Sequence, residues 1–337
     1  MKSLVLIIAV KIHAAATTHC VQQMVQIQLF LAPYNIATWL CTNGQINVQD
    51  QTVHVTISGI TADHNYWHFP NQSYVDYLVQ TGGYVVFNFD RLGVGLSDRP
   101  IIGTLITADI HAEVLSQLVK YLKQQLKFPK IVLVGHSLGS LTIWTYASNY
   151  KNADIDGIII TGLLHNYNFT SLFSFGLDLY IANLDSKFSY LPLDYLTTIP
   201  NTRVNYLFYS TNADPYAIAL DEQLKETGTL GELALGIFKF SASVSLSINV
   251  PVLVVIGQKD IEYCQQDYAV SCENSGIVLQ RETPFYSTNT CLETYVQTES
   301  AHAINLHRNA QDWYQMAVNW SNRRIGKTWN SSATQPC

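Results

Sequence analysis

Gly135-His136-Ser137-Leu138-Gly139 sets a serine between two glycines, directly after the apolar, β-branched run Ile131–Val134. Leu141, Trp144, Thr145 and Ala147 then recur at roughly helical spacing. A strand that meets a helix through this pentapeptide must turn very tightly. The glycines leave room for the turn, and the serine is held strained with its hydroxyl exposed at the tip. The helix N-terminus beneath offers free N–H groups and a partial positive charge, which suit a developing anion. The chemistry this suggests is acyl transfer with Ser137 as nucleophile.

Such a serine needs a base and a carboxylate to hold that base. Asp260 lies in Gly257-Gln258-Lys259-Asp260, just past the buried run Val252–Ile256. That is a strand's carboxyl end, where open α/β sheets build their sites. His302 follows the last apolar strand and opens the last helical stretch, so it reaches the same edge. Of the ten histidines, His136 is a neighbour of the nucleophile, His307 falls on another part of the helix, and His64, His68, His111 and His165 fit no motif. The chain order Ser137, Asp260, His302 is that of one known triad arrangement. For the oxyanion, the expected backbone donors are the N–H of Leu138 and, from the loop after Val53–Ile57, the N–H of Ile60.

Other chemistries find little support. Asp90-Arg91-Leu92-Gly93-Val94-Gly95-Leu96-Ser97 lacks the third glycine and the immediate helix of a dinucleotide site, and reads as a structural loop. No Cys/His cluster has zinc spacing, and no phosphate-loop motif occurs. Neither cofactor nor metal is expected. A net charge of −6, with no basic stripe, argues against nucleic acid. No apolar run reaches membrane-spanning length.

The elements that position these residues follow from the pattern. Apolar residues make up 48% of the 337 and charged residues 13%, a globular composition. Strands are expected at Val21–Leu31, Val53–Ile57, Tyr84–Asn88, Ile131–Val134, Gly157–Thr161, Val250–Ile256 and Leu292–Gln297, with a hairpin of Ile36–Cys41 and Gln45–Val48 around Thr42-Asn43-Gly44. Helices are expected at Asn71–Gln80, Thr107–Leu126, after Ser137 and over Ala303–Val318. The alternation predicts an α/β fold with a mostly parallel central sheet and helices on both faces. Residues 163–248 break the rhythm, with helical patches at Leu177–Leu184 and Ala217–Leu224, and read as a helical insertion. The core is then 17–162 and 249–326, and 327–337 a loose polar tail.

The start, Met1-Lys2-Ser3 followed by Leu4–Val10 and Ala14-Ala15-Ala16, has the features of a secretory signal peptide over 1–16, although Lys11 interrupts the apolar run. Six cysteines all lie beyond it, and Cys264 with Cys272 is the expected short-loop pair. Sequons at Asn71, Asn168, Asn319 and Asn330 offer N-glycan acceptors. The expected location is extracellular.

Together, Ser58-Gly59 after a strand, Asp90-Arg91 with Gly93, Gly95 and Ser97, the Ser137 pentapeptide, Gly257 with Asp260, and Ala301-His302 resemble the α/β-hydrolase superfamily over about Val53 to Asn309. Tyr66-Trp67 and Ala303-Ile304-Asn305-Leu306-His307 are similar to secreted fungal members of unassigned substrate. The resemblance implies Ser137, Asp260 and His302 as a triad, residues 163–248 as a cap, and a serine esterase acting on small-molecule or lipid-like esters. Amide or lactone substrates, or a non-catalytic binding protein, are the alternatives. The chain departs from the family at Ser58, where His usually precedes the glycine and braces the oxyanion loop.

Overall fold

The computed structural model describes residues 17–44, 48–151, 154–236, 244–264, 271–331 and 333–335. The expected signal peptide lies outside the described residues. β1 (His19–Leu29) and β2 (Ala32–Thr42) pair antiparallel around Phe30 and Leu31, whose φ angles are 51° and 64°. The expected hairpin at Asn43-Gly44 is thus displaced. Two residues at positive φ close a tight hairpin, but Phe30 and Leu31 supply them, so no Asn-Gly signal marks the turn. Of the expected return strand, 45–47 lie outside the described residues and Val48–Asp50 is a 3₁₀ turn.

Strands and helices then alternate: β3 (Thr52–Ile57), α1 (Tyr74–Tyr77), β4 (Val85–Phe89), α2 (Ala108–Gln124), β5 (Lys130–His136), α3 (Leu138–Tyr150) and β6 (Gly157–Thr161). Ser73 and Thr107 cap α1 and α2 through their side-chain oxygens. The region expected as one helix over 71–80 is the short α1 continued by a π turn, Leu78–Gly82, which Gly83 ends at φ 69°.

The insertion carries α4 (Phe169–Leu177), β7 (Leu179–Ile181), β8 (Tyr195–Thr198), α5 (Val204–Leu207), α6 (Pro215–Leu224), β9 (Gly228–Thr229) and α7 (Leu230–Gly236). Its helices are accompanied by a small sheet, β7-β8-β9, that the helical expectation does not include. Strands of two to four residues are too short for alternation to be legible. The chain then returns through β10 (Val252–Gly257), α8 (Ser275–Glu282), β11 (Leu292–Gln297) and α9 (Ala310–Arg324). The last helix starts later than expected, so His302 stands in a loop, with a 3₁₀ turn at Ile304–Leu306 behind it.

Among the described residues, the main sheet has the order β1-β2-β4-β3-β5-β6-β10-β11. β2 runs antiparallel to β1 and β4, and the remaining neighbours are parallel. β3, β4, β6 and β10 are buried along their whole length, and β5 from Ile131 on, as parallel strands covered on both faces must be. Alternate residues serve the two faces. Val55, Phe87, Leu133 and Ile158 pack with Leu115 and Leu118 of α2, while Val86, Val132, Ile159 and Val255 pack with Tyr74, Trp313 and Trp320.

Cys20–Cys41 staples β1 to β2, and Cys264–Cys272 closes the expected short loop. The tail expected to be loose is tied to the sheet at its start: Thr52 N–H donates to Lys327 O at 2.8 Å, and Trp329 N–H to Asp50 O at 2.9 Å. Among the described residues no helix is long and apolar enough to cross a membrane.

Candidate active site

Ser137 sits between β5 and α3 at φ 53°, ψ −116°. A non-glycine residue there is strained, and the turn around it explains why. A Cβ on Gly139 would stand 2.1 Å from Ile57 O, and one on Gly135 2.5 Å from Ser140 N. Only glycine lets strand, turn and helix approach this closely. Ser137 N–H donates to Thr161 O at 2.9 Å, which ties the turn to β6. The hydroxyl makes no hydrogen bond among the described residues and faces a cavity.

His302 lines that cavity too. Its Nδ1 donates to Asp260 Oδ2 at 2.8 Å, and Asp260 is fully buried behind it. Asp260 Oδ1 accepts from Glu262 N–H at 3.0 Å, which fixes the carboxylate's orientation. Burial pushes the His302 imidazole down, but the Glu262 and Asp260 carboxylates outweigh it and raise the group above its ordinary value. Glu262 itself is raised, first by burial and then by Asp260. Its Oε2 lies 3.7 Å from the same Nδ1. Glu262 belongs to no motif in the sequence, although its place two residues beyond Asp260 in the same turn is a usable signal. His136 is a neighbour, as expected. It stacks on Tyr66 with centroids 4.3 Å apart, its Nδ1 lies 3.1 Å from Thr161 Oγ1, and burial holds it well below the ordinary histidine range.

The loop after β3 lies against the nucleophile. A Cβ on Gly59 would meet Ser137 Cβ at 3.2 Å. The N–H groups of Ile60 and Leu138 find no acceptor among the described residues, and both residues line the cavity. Three carbonyls of the loop are engaged. Gly59 O accepts from Arg91 Nη2 at 3.0 Å, Thr61 O from Glu226 N–H at 3.0 Å, and Ala62 O from Ser58 Oγ at 3.0 Å. Arg91 in turn pairs with Glu232 of α7, beside His111. The loop that lacks the usual histidine is therefore held by a buried arginine and by the insertion.

The cavity has a volume of about 400 Å³ and is walled largely by apolar side chains, among them Leu138, Leu141, Leu163, Leu207 and Leu233. From α4, Leu172, Phe173 and Phe175 face it, whereas Phe188 is core and Tyr190 is exposed. Composition alone cannot make that division.

A second serine-histidine-carboxylate set is present. His165 Nδ1 lies 2.6 Å from Glu282 Oε2, and Nε2 lies 2.7 Å from Ser245 Oγ. Ser245 Oγ spends its proton on Phe285 O at 2.6 Å, and the ring is stacked between Trp144 and Phe285. All three residues are buried, and none lines the cavity. It is a structural cluster. Two groups, Asp63-His64-Asp90 and Asp260-Glu262-His302, bring ligand-type atoms together, but each histidine Nδ1 is already 2.8 Å from a carboxylate.

Residues 55–261 match the model of a family described as alpha/beta hydrolase fold. A thermophilic esterase from Thermogutta terrifontis is similar over 88% of this chain and 97% of its own, at 17% identity and a TM-score of 0.62. A soluble variant of monoglyceride lipase from Saccharomyces cerevisiae is similar over 93% and 98%, at 17% identity and 0.61. A bromoperoxidase from Bacillus anthracis is similar over 89% and 100%, at 17% and 0.60. At these identities the likeness is one of fold, and this fold carries more than one chemistry.

Proposed function

The chain belongs to the α/β-hydrolase fold family, and from that premise we propose that it is a secreted serine hydrolase of carboxylic esters with Ser137, His302 and Asp260 as its triad. One observation carries the reading. The strained Ser137 opens onto the same apolar cavity as His302, whose Nδ1 is held 2.8 Å from buried Asp260.

In this reading Ser137 Oγ attacks the ester carbonyl as His302 Nε2 takes its proton, and Asp260 holds the imidazolium. The N–H groups of Ile60 and Leu138 receive the oxyanion. His302 returns the proton to the leaving alkoxide, then activates water to release the acid. The apolar walls suit an ester with a sizeable hydrocarbon part, in keeping with the esterase and monoglyceride lipase among similar structures. The bonds that brace the loop around Ser58 favour catalysis over a binding role.

Secretion is supported by the Cys20–Cys41 and Cys264–Cys272 disulfides, which persist in oxidising compartments. Asn71, Asn319 and Asn330 are exposed and suit N-glycans. Asn168 is buried as the N-cap of α4, its amide donating to Ser171 Oγ at 2.7 Å, and is a poor acceptor.

The test is intact mass after treatment with a fluorophosphonate, followed by a panel of ester, amide and lactone substrates. A single adduct on Ser137, lost in His302→Ala, with turnover of esters in preference to amides and lactones, is expected. No adduct on folded protein would overturn the reading in favour of a binding protein.

A further inference from the structure

We propose that Glu262 is a second positioning carboxylate for His302, sharing the Nδ1 edge of the imidazole with Asp260. The inference rests on the serine-hydrolase reading of the same site.

The two carboxylates leave one turn after β10. Asp260 Oδ2 stands 2.8 Å from Nδ1 and Glu262 Oε2 3.7 Å from the same atom. Glu262 is pinned at both ends of its peptide: its N–H donates to Asp260 Oδ1 at 3.0 Å, and its carbonyl accepts from Asn168 N–H at 2.6 Å. Its side chain is buried yet reaches the cavity wall. The other carboxylates on that wall have arginines: Asp221 is forked by Arg203, and Glu232 pairs with Arg91. Glu262 has His302 as its one cationic partner among the described residues.

The groups that face this pair are few. His136, at the end of β5, has its ring centroid 4.8 Å from that of His302, and burial keeps it neutral. Tyr263, from the same turn as Glu262, stacks on His302 with centroids 6.1 Å apart and stays protonated through burial. Tyr206 of α5 lies near Glu262 and is likewise raised, first by burial. Among the described residues no other charge offsets two carboxylates on one imidazole. The second carboxylate favours the imidazolium, which helps the transition state. It also delays deprotonation of His302, which must be neutral to accept the Ser137 proton. The same geometry gives the histidine a reserve: with Asp260 shortened, Glu262 has less than 1 Å to close to reach Nδ1.

The experiment is the pH profile of kcat/KM for hydrolysis of a short-chain p-nitrophenyl ester by the full chain, after fluorophosphonate labelling of Ser137 has been established. In Glu262→Gln the acid limb is expected to move to lower pH by about one unit, since an opposite charge is lost from beside the imidazole. Glu262→Asp, which keeps the charge, is expected to stay near the wild-type limb. Asp260→Ala is expected to lose about 10² in kcat/KM with Glu262 present, and about 10⁴ in the double variant with Glu262→Gln, close to the loss of a triad that has no orienting acid. Coincident limbs for wild type and Glu262→Gln overturn the proposal, whatever the Asp260 variants do. Absence of Ser137 labelling in the wild type is a different failure: it removes the hydrolase reading, and Glu262's role with it.

Discussion

Arg203 Nη1 donates to Thr61 Oγ1 at 2.8 Å, while its Nε and Nη2 fork onto Asp221 at 2.7 and 2.9 Å. Arg203 and Asp221 belong to the insertion, and Thr61 to the loop after β3. An ion pair internal to the insertion is thus also a clamp on the loop that presents the Ile60 N–H. Thr61 itself is held at φ 57°, a conformation that costs about 1–3 kcal/mol and persists only under such restraint.

Arg203→Met is therefore expected to act twice. It strands Asp221 as a buried, unpaired carboxylate, and urea unfolding should show a loss of about 3–5 kcal/mol. Among molecules that remain folded, fluorophosphonate labelling of Ser137 should slow as Thr61 relaxes. Unchanged labelling kinetics would mean that the loop holds its shape without the insertion.

Ser137→Ala is expected to reduce ester turnover by about 10⁶-fold, since members of such a set act as a unit. His302→Ala should lose about as much, and the double variant little more. The residual rate, about 10³–10⁴ over water, would report the backbone donors alone. Additive losses in the double variant would mean that the two residues do not act together.

Gly162 lies under the site at φ 60°, and a Cβ there would meet His136 Cε1 at 2.6 Å and His302 Cε1 at 3.3 Å. Gly162→Ala is expected to lower kcat by about 10², the effect of an ångström-scale displacement of a catalytic group. The loss should fall on kcat more than on KM, because the apolar cavity walls that α4 supplies are untouched. A variant with wild-type kcat would show that the histidine shelf has slack.

Glu282→Gln tests the buried set around His165. Its carboxylate accepts from His165 N–H at 3.2 Å and lies 2.6 Å from Nδ1. An amide cannot accept from both His165 groups as the carboxylate does, and a buried donor left unsatisfied is expected to cost about 1–3 kcal/mol in urea unfolding. Labelling of Ser137 per folded molecule should be unchanged, which separates this structural cluster from the cavity site.

Much of this architecture is legible in the sequence because its signals are local. β5, β6 and β10 are built on uninterrupted apolar runs, the elbow is a pentapeptide with two obligatory glycines, and Asp260 and His302 each follow a strand. What is not legible depends on contacts distant in the chain. Arg91 reads as part of a glycine loop until Glu232 and Gly59 O are seen on either side of it. Ser58 reads as a defect until its Oγ is found on Ala62 O. His165 fits no motif, since Ser245 and Glu282 lie 80 and 117 positions away. The start of α9 is misplaced because the apolar spacing continues through Ala303–Leu306, a stretch whose side chains are buried in a loop and a 3₁₀ turn.

Buried histidines set the acid response. Burial lowers His54 to about 3 and His307 to about 4. Their unfolded value is about 6.5. A depressed folded value means that the unfolded chain binds the proton first, so stability is present above about 6.5 and is lost as pH falls toward 4 and 3. Each histidine contributes a slope of about 1.4 kcal/mol per pH unit in that window. His302 does not offset this. Its folded value is raised, so below 6.5 it is protonated in both states and its slope lies at higher pH. The check is His54→Gln, which removes the titrating ring beside Tyr74 and Tyr84. At pH 7 the variant should be the less stable, having lost buried packing. Between pH 6 and pH 4 its deficit should shrink by about 1.4 kcal/mol per unit, because wild type alone continues to lose the His54 contribution. A deficit independent of pH would mean that His54 takes up its proton without unfolding.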